Sequence, residues 1–121
     1  MEIIAKSLSL LVALEHLFIL HLEMFRWTSK ASQKAFAITP EFARSTKAMA
    51  ANQGLYNGFL AAGLIWGAVH PQWVMGRQVT LFFLSCVVVA AVFGGVTVKR
   101  SILLVQGLPA ALALLVTWLA T

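Results

Sequence analysis

The sequence predicts an all-α membrane protein, one domain over residues 1–121 in which four antiparallel helices cross the bilayer. The chain is 60% hydrophobic and only 11% charged, whereas soluble domains are about 45–50% apolar and about 25% charged. Four apolar runs are each close to the roughly 20 residues that a helix needs to cross the hydrocarbon core. Most basic residues lie between these runs, which is typical of a multi-pass membrane protein.

The four predicted spans are joined by connections of very different length. Lipid cannot hydrogen-bond backbone amides, so each apolar run is expected to be helical. A long basic connection follows the first run, and "HPQWVMG", with its helix-stopping Pro71, follows the second. Only "KRS" joins the last two runs, which predicts a tight hairpin. The predicted spans are residues 3–25, 47–69, 78–98 and 102–120.

The first connection is predicted to contain structure of its own. In "SKASQKAFA", residues 29–37, basic and apolar residues recur at helical spacing, as in a helix that lies on a membrane surface. Thr39, Pro40 and Glu41 form a helix start, because Thr caps, Pro suits the first helical position and Glu favours the positive end of the helix dipole. The second membrane helix is expected to begin there.

The basic residues predict the orientation. Seven of the nine flank the first and third connections, whereas Lys6 and Arg77 lie on the other side. The positive-inside rule then makes those connections cytoplasmic and both termini extracytoplasmic, in a bacterial inner membrane. Trp27 is expected at the inner interface, and Trp73 and Trp118 at the outer one. The seven residues are Arg26, Lys30, Lys34, Arg44, Lys47, Lys99 and Arg100.

Several classes of function are disfavoured by what the chain lacks. The formal net charge of +5 comes with no nucleic-acid-binding motif, so lipid head groups explain it more simply than nucleic acid. One cysteine, Cys86, excludes an internal disulfide and a CxxC pair. The Glu-x-x-His spacing of di-iron bundles is missing. We therefore expect no cofactor and no metal. The N-terminus is expected to be a retained helix, because Glu15 and His16 follow a short apolar stretch without a cleavage pattern.

Titratable groups inside the first span mark a candidate site. In "EHLFILHLEMF", residues 15–25, Glu15, His16 and Glu23 share one helix face, whereas His21 points to a leucine-rich face. Glu15 lies near the middle of the span, where an isolated charge costs at least about 2.5–3.5 kcal/mol. It should be paired, hydrated or protonated. Simpler roles stay open: a purely structural, neutral and hydrogen-bonded Glu15, an interfacial ion pair of Glu23 with Arg26, and an interhelical hydrogen bond from His16.

The second and fourth spans supply polar partners. Asn52, Gln53, Tyr56 and Asn57 fall within an arc of about 140°, beside a GxxxG pair that favours close helix approach. Gln106 lies beside Pro109 in the fourth span. We expect Asn57 or Gln53 to accept a hydrogen bond from Glu15, although amides also serve simply to hold helices together. The predicted pocket comprises Glu15, His16, Glu23, Asn52, Gln53, Tyr56, Asn57 and Gln106.

Three stretches resemble a known family. "LVALEHLFILHLEMF", "MAANQGLYNGFLAAGLIWG" and "VQGLPAALAL" are similar, in this order, to the bacterial membrane-protein family catalogued as domain of unknown function 1304. The resemblance covers essentially the whole chain. It implies a small integral membrane protein with four helices, and it implies no activity, substrate or cofactor. Its motifs contain the predicted pocket residues and Pro109.

Three functions stay open on these residues. We favour binding and proton-coupled transport of an ion or small molecule through a polar pocket in the inner half of the bundle. Four short helices enclose little volume, so a homodimer would be expected to complete the path. An alternative is a membrane-embedded enzyme with Glu15 and His16 as acid and base and Tyr56 as proton donor, although no nucleophile with an evident base is present. A structural subunit that packs against another membrane protein is the third.

Overall fold

The chain folds into helices and turns without any strand. The computed structural model describes all 121 residues, and the all-α prediction is confirmed. A π-helical turn at Leu103–Gly107 precedes the last helix. The α-helices are α1 (Glu2–Phe25), α2 (Lys30–Phe36), α3 (Pro40–Ser45), α4 (Lys47–Val69), α5 (Trp73–Thr97) and α6 (Leu108–Leu119).

The helices form two compact units. Residues 1–14 and 60–121 make up the first unit, and residues 15–59 make up the second. The first unit contains an apolar core to which four helices contribute equally. Its buried members are Val12 and Ala13 from α1, Ala61 and Leu64 from α4, Leu84 and Val87 from α5, and Ala110 and Ala113 from α6.

The hairpin predicted at "KRS" forms in the first unit. The Lys99 amide donates to the Gly94 carbonyl, and the Ile102 amide donates to the Lys99 carbonyl, both at 3.1 Å. The helix that follows opens with the π-helical turn, in which the Leu108 amide donates to the Leu103 carbonyl. Pro109 has no amide hydrogen to donate, and a locally widened turn is a common way for a helix to accommodate such a break.

The first connection contains a break that the sequence did not reveal. α2 forms as predicted, and Thr39 caps α3 by accepting from the Phe42 amide at 3.1 Å. However, α3 ends at Ser45, so the predicted second span does not run continuously from Thr39. The Thr46 hydroxyl donates to the Phe42 carbonyl at 2.7 Å and accepts from Trp27 Nε1 at 3.0 Å. A hydroxyl bonded to the preceding turn bends helices, and α4 begins after it.

The long apolar helices bury only part of their surface. α1 and α5 are long and apolar enough to cross a membrane, yet only 33% and 28% of their most apolar stretches are buried. Leu103–Leu119 is a shorter apolar helix, and α4 carries several amides in its first half.

The helix α5 begins at Trp73 rather than at the predicted residue 78. It extends beyond the apolar run as far as Gln72, whose backbone is extended.

Small residues allow α4 and α5 to approach closely in the first unit. A Cβ added to Gly67 would overlap the Thr80 hydroxyl and lie 2.9 Å from the Gly76 carbonyl oxygen and 3.0 Å from the Thr80 amide nitrogen. Two of these neighbours are backbone atoms, which cannot move aside without shifting a helix. Gly94 is less tightly packed than Gly67. Its added Cβ would lie 3.3 Å from the methyl carbon Cγ2 of Ile102, which is a side-chain atom and not a backbone atom.

We expect Gly67→Ala to lower the free energy of unfolding by about 1–3 kcal/mol, the usual cost of overpacking a tight contact. Gly94→Ala is the matched control and should leave stability unchanged or slightly raised, since Ala favours helix. Thermal unfolding in detergent micelles, followed by circular dichroism, measures both. Equal melting temperatures for the two variants would contradict the close approach at Gly67.

Candidate functional site

Polar side chains occupy the buried face of α1. Ser9, His16 and Glu23 are only 0%, 1% and 7% exposed, and their spacing of seven residues places them on one stripe. Ala5 and Val12 lie on the same stripe and are also buried. Ser9 satisfies its hydroxyl within its own helix by donating to the Ala5 carbonyl at 2.8 Å. The titratable residues of the buried stripe are His16 and Glu23.

The opposite face of α1 is apolar and exposed. Leu10, Leu14 and Leu17 are 41%, 63% and 39% exposed. His21 is exposed as well, with its ring centre 6.4 Å from that of Phe25. His21 therefore lies apart from the polar stripe, as its helical phase predicts.

Glu23 and Asn57 form the central contact of the second unit. Asn57 Nδ2 donates to Glu23 Oε1 at 2.5 Å and thereby joins α4 to α1. The expected ion pair of Glu23 with Arg26 is wrong, because the ion pairs of the protein are Lys6 with Glu2 and Arg44 with Glu41. An amide from the neighbouring helix takes the place of the guanidinium.

Gly54 brings the two helices close enough for this bond. A Cβ added to Gly54 would lie 2.6 Å from Met24 Cγ, 3.1 Å from Glu23 Cβ and 3.3 Å from the Leu20 carbonyl oxygen. Gly54 and Gly58 form the predicted GxxxG pair, and a Cβ at Gly58 would lie 2.7 Å from Leu20 Cδ1. Small residues at this spacing allow helix backbones to come into contact. Asn57, one turn beyond Gly54, is thereby placed against Glu23.

Glu15 has an unsatisfied oxygen. Its Oε1 is buried and has no hydrogen-bond partner. The predicted bond from Glu15 to Asn57 or Gln53 is wrong, because Asn57 bonds to Glu23 and Gln53 is exposed. A buried carboxylate oxygen without a partner is costly. It can accept a bond from a bound water or polar ligand, hold a proton or coordinate a cation.

The other predicted pocket residues are not buried with Glu23. Asn52 and Gln53 are exposed, and Tyr56 is 50% exposed with its ring centre 6.0 Å from that of Phe59. Gln106 is partly exposed in the π-helical turn of the first unit. No three His, Cys, Asp or Glu side chains lie close enough together to hold a metal ion. Among the predicted pocket residues, Glu23 and Asn57 are joined by a hydrogen bond.

A regular spacing in α4 separates Asn57 from its polar neighbours. Most buried residues of α4 recur in steps of four and three residues, and the partly buried Asn57 falls in this series, whereas the exposed Asn52, Gln53 and Tyr56 do not. The predicted arc of about 140° includes all four of these polar residues, so it does not separate Asn57 from the others. The residues at these positions are Ala50, Gly54, Asn57, Ala61, Leu64 and Ala68.

Comparison with known proteins places the chain in a family. Residues 10–118 match the family model described as "Protein of unknown function (DUF1304)". The chain belongs to this family. The uncharacterized protein YpaA of Lactococcus lactis subsp. lactis (strain IL1403) is 34% identical over 117 residues, covering 95% of this chain and 97% of YpaA. No solved structure matches. The predicted resemblance is confirmed, and the matched segment contains every residue of the candidate site.

We expect the Glu23–Asn57 bond to contribute about 0.6–1.7 kcal/mol, the range found for hydrogen bonds between membrane helices. A double-mutant cycle with Glu23→Leu, Asn57→Leu and the double variant isolates this coupling, measured from unfolding curves in mixed detergent. Glu23→Gln is the control, because its amide oxygen still accepts from Asn57. Strictly additive losses in the cycle would show that the bond contributes nothing to stability.

Proposed function

We propose that this chain is a multi-pass protein of the bacterial inner membrane, with α1, α4, α5 and the helix Leu103–Leu119 as its four spans. The main support is the large apolar surface that the helices leave exposed. Phe18, Phe82 and Phe93 are 60%, 65% and 70% exposed. Exposing this many large apolar side chains to water is unfavourable, whereas lipid covers them without cost.

The basic residues support an orientation with both termini extracytoplasmic. Lys6 and Arg77, the two basic residues assigned to the outer side, each lie against a tryptophan in the first unit. Lys6 Nζ is 5.3 Å from the centre of the Trp73 ring, and the Arg77 guanidinium carbon is 5.8 Å from that of Trp118. Tryptophan is enriched at membrane interfaces, so these pairs fit a position at the outer head groups.

The orientation predicts which engineered thiols are accessible in intact cells. In a Cys86→Ala background, Thr121→Cys should react with an impermeant maleimide in intact cells, because the C-terminus faces outward. Ala35→Cys, exposed on α2, is the matched control and should react only after lysis. The reverse pattern, with Ala35→Cys labelled in intact cells, would overturn the topology.

We assign to this membrane protein the binding of a proton or small cation at Glu15, with proton-coupled transport of an ion or small molecule as its role. The observation that carries this assignment is the buried Glu15 oxygen that has no partner. Placing a carboxylate at the centre of a membrane helix costs at least about 2.5–3.5 kcal/mol, and a bound proton or cation removes most of its charge. The enzyme alternative would use Tyr56 as its proton donor, and Tyr56 is 50% exposed.

The buried stripe of α1 gives the site its polar surroundings. His16 is completely buried and follows Glu15 directly in the chain. Glu23 lies two turns further along the same helix and is held by Asn57. Apart from the exposed His21, the helix between these groups is apolar. A second copy of the chain would complete a path across the membrane, because four helices enclose little volume.

Proton movement in reconstituted vesicles tests the role of Glu15. The protein is placed in vesicles that contain a trapped pH-sensitive dye, and a potassium gradient with valinomycin sets the membrane potential. We expect the wild-type protein to acidify the interior faster than empty vesicles, and Glu15→Gln to abolish the difference while keeping the melting temperature. His21→Gln, on the exposed face of α1, is the control and should conduct as wild type. Equal rates for Glu15→Gln and wild type would exclude Glu15 as the proton carrier.

A further inference from the structure

The basic residues of the two units differ in their partners. In the first unit, Lys6 Nζ lies 2.6 Å from Glu2 Oε1 and over the Trp73 ring. Arg77 donates from Nε to the Thr117 carbonyl at 2.9 Å and from Nη2 to the Trp118 carbonyl at 2.5 Å. These two charges are thus compensated inside the protein, Arg77 by the negative end of the α6 dipole.

The connection that spans residues 26–47 in the second unit carries charges that the protein leaves uncompensated. It has five basic residues and one acidic residue, Glu41, a formal net charge of +4. Its single ion pair joins Arg44 and Glu41 at 3.7 Å, and both side chains are exposed. An exposed contact of this kind contributes little. The other four side chains form no ion pair and are Arg26, Lys30, Lys34 and Lys47.

Specific contacts hold this basic segment in one conformation. The Trp27 ring centre lies 4.9 Å from that of Phe36, which fastens α2 to the end of α1. Trp27 Nε1 donates to Thr46 at the start of α4, and the Ser32 hydroxyl donates to the Arg26 carbonyl at 2.5 Å. Ser32 is buried on one side of α2. The basic side chains are therefore presented by a folded surface and not by a loose loop.

Lys30 and Lys34 lie together on the outer side of α2. They are four residues apart, so their side chains are neighbours on the helix, and both are exposed. Two like charges at this spacing repel each other, and the structure provides no acidic residue between them. An external anion would remove the repulsion.

We propose that the segment of residues 26–47 binds the head groups of anionic phospholipids. This inference depends on the membrane location proposed above, which places the connection at the bilayer surface. Charge complementarity identifies the partner, because each basic residue near an anionic membrane surface gains about 1 kcal/mol. The fixed position of α2, with its lysines outward, allows several head groups to be bound at once. Zwitterionic lipids offer no comparable gain.

Lipid-specific quenching tests this inference on the full-length protein. Cys86→Ala with Ala35→Cys carries a fluorescent label on α2, and the protein is placed in vesicles of mixed phosphatidylglycerol and phosphatidylcholine. Either lipid is supplied in brominated form, and the quenching gives their relative association at the label. We expect phosphatidylglycerol to be favoured at least about fivefold, the ratio that corresponds to the gain of a single basic residue. At about 1 M salt, where the Debye length is about 3 Å, the preference should disappear.

Matched lysine variants identify the source of the preference. Lys30→Gln with Lys34→Gln should lower the preference for phosphatidylglycerol without abolishing it, because Arg26 and Lys47 still form no ion pair. Lys6→Gln, which removes an internally paired charge, should leave the wild-type ratio. Equal quenching by the two lipids in the wild-type protein would overturn the inference while the membrane location stands. Absence of quenching by either lipid would refute the membrane location and the inference with it. Loss of the preference in inorganic phosphate at matched ionic strength would assign the surface to a free anion instead.

Discussion

Close packing of α4 against its neighbours is the constraint on which the rest of the structure depends. Six of the seven buried residues of α4 are Ala or Gly, so its backbone comes close to other helices. Gly54 contacts α1 in the second unit, and Gly67 contacts α5 in the first. Each glycine brings the helix backbone against a neighbouring helix within its own unit. Such packing replaces the hydrophobic effect as the source of helix association in lipid.

Tight packing also decides which polar groups can be buried. Where helix backbones are in contact, little space remains for water, and a buried polar side chain is favoured when it has a protein partner. Asn57 and Glu23 each occupy an inward position and bond to one another. A buried polar pair of this kind restricts the register of two helices, as a single buried Asn does in coiled coils. Their bond therefore favours one axial position of α1 against α4 in the second unit.

The sequence predicts features that depend on local chemistry and misses those that depend on packing partners. The cap at Thr39, the hairpin at "KRS" and the buried face of α1 follow from a few neighbouring residues, and the structure contains them. The break at Thr46 depends on a bond from Trp27, 19 residues away. Likewise, the partner of Glu23 depends on Gly54 in another helix. Helical phase alone could not show that Asn57 would be used and Gln53 left exposed.

Two carboxylates of α1, Glu15 and Glu23, form no ion pair. The chain has four carboxylates among nine Lys and Arg residues, so cations are in excess. Nevertheless, only Glu2 and Glu41 pair with cations. Glu23 bonds to a neutral amide, and Glu15 Oε1 has no partner. A fixed cation beside Glu15 would bring its own desolvation cost into the helix packing, and it would hold the carboxylate permanently in one charge state. No fixed cation therefore holds Glu15 in one charge state, and this fits the reversible binding of a proton or cation proposed above.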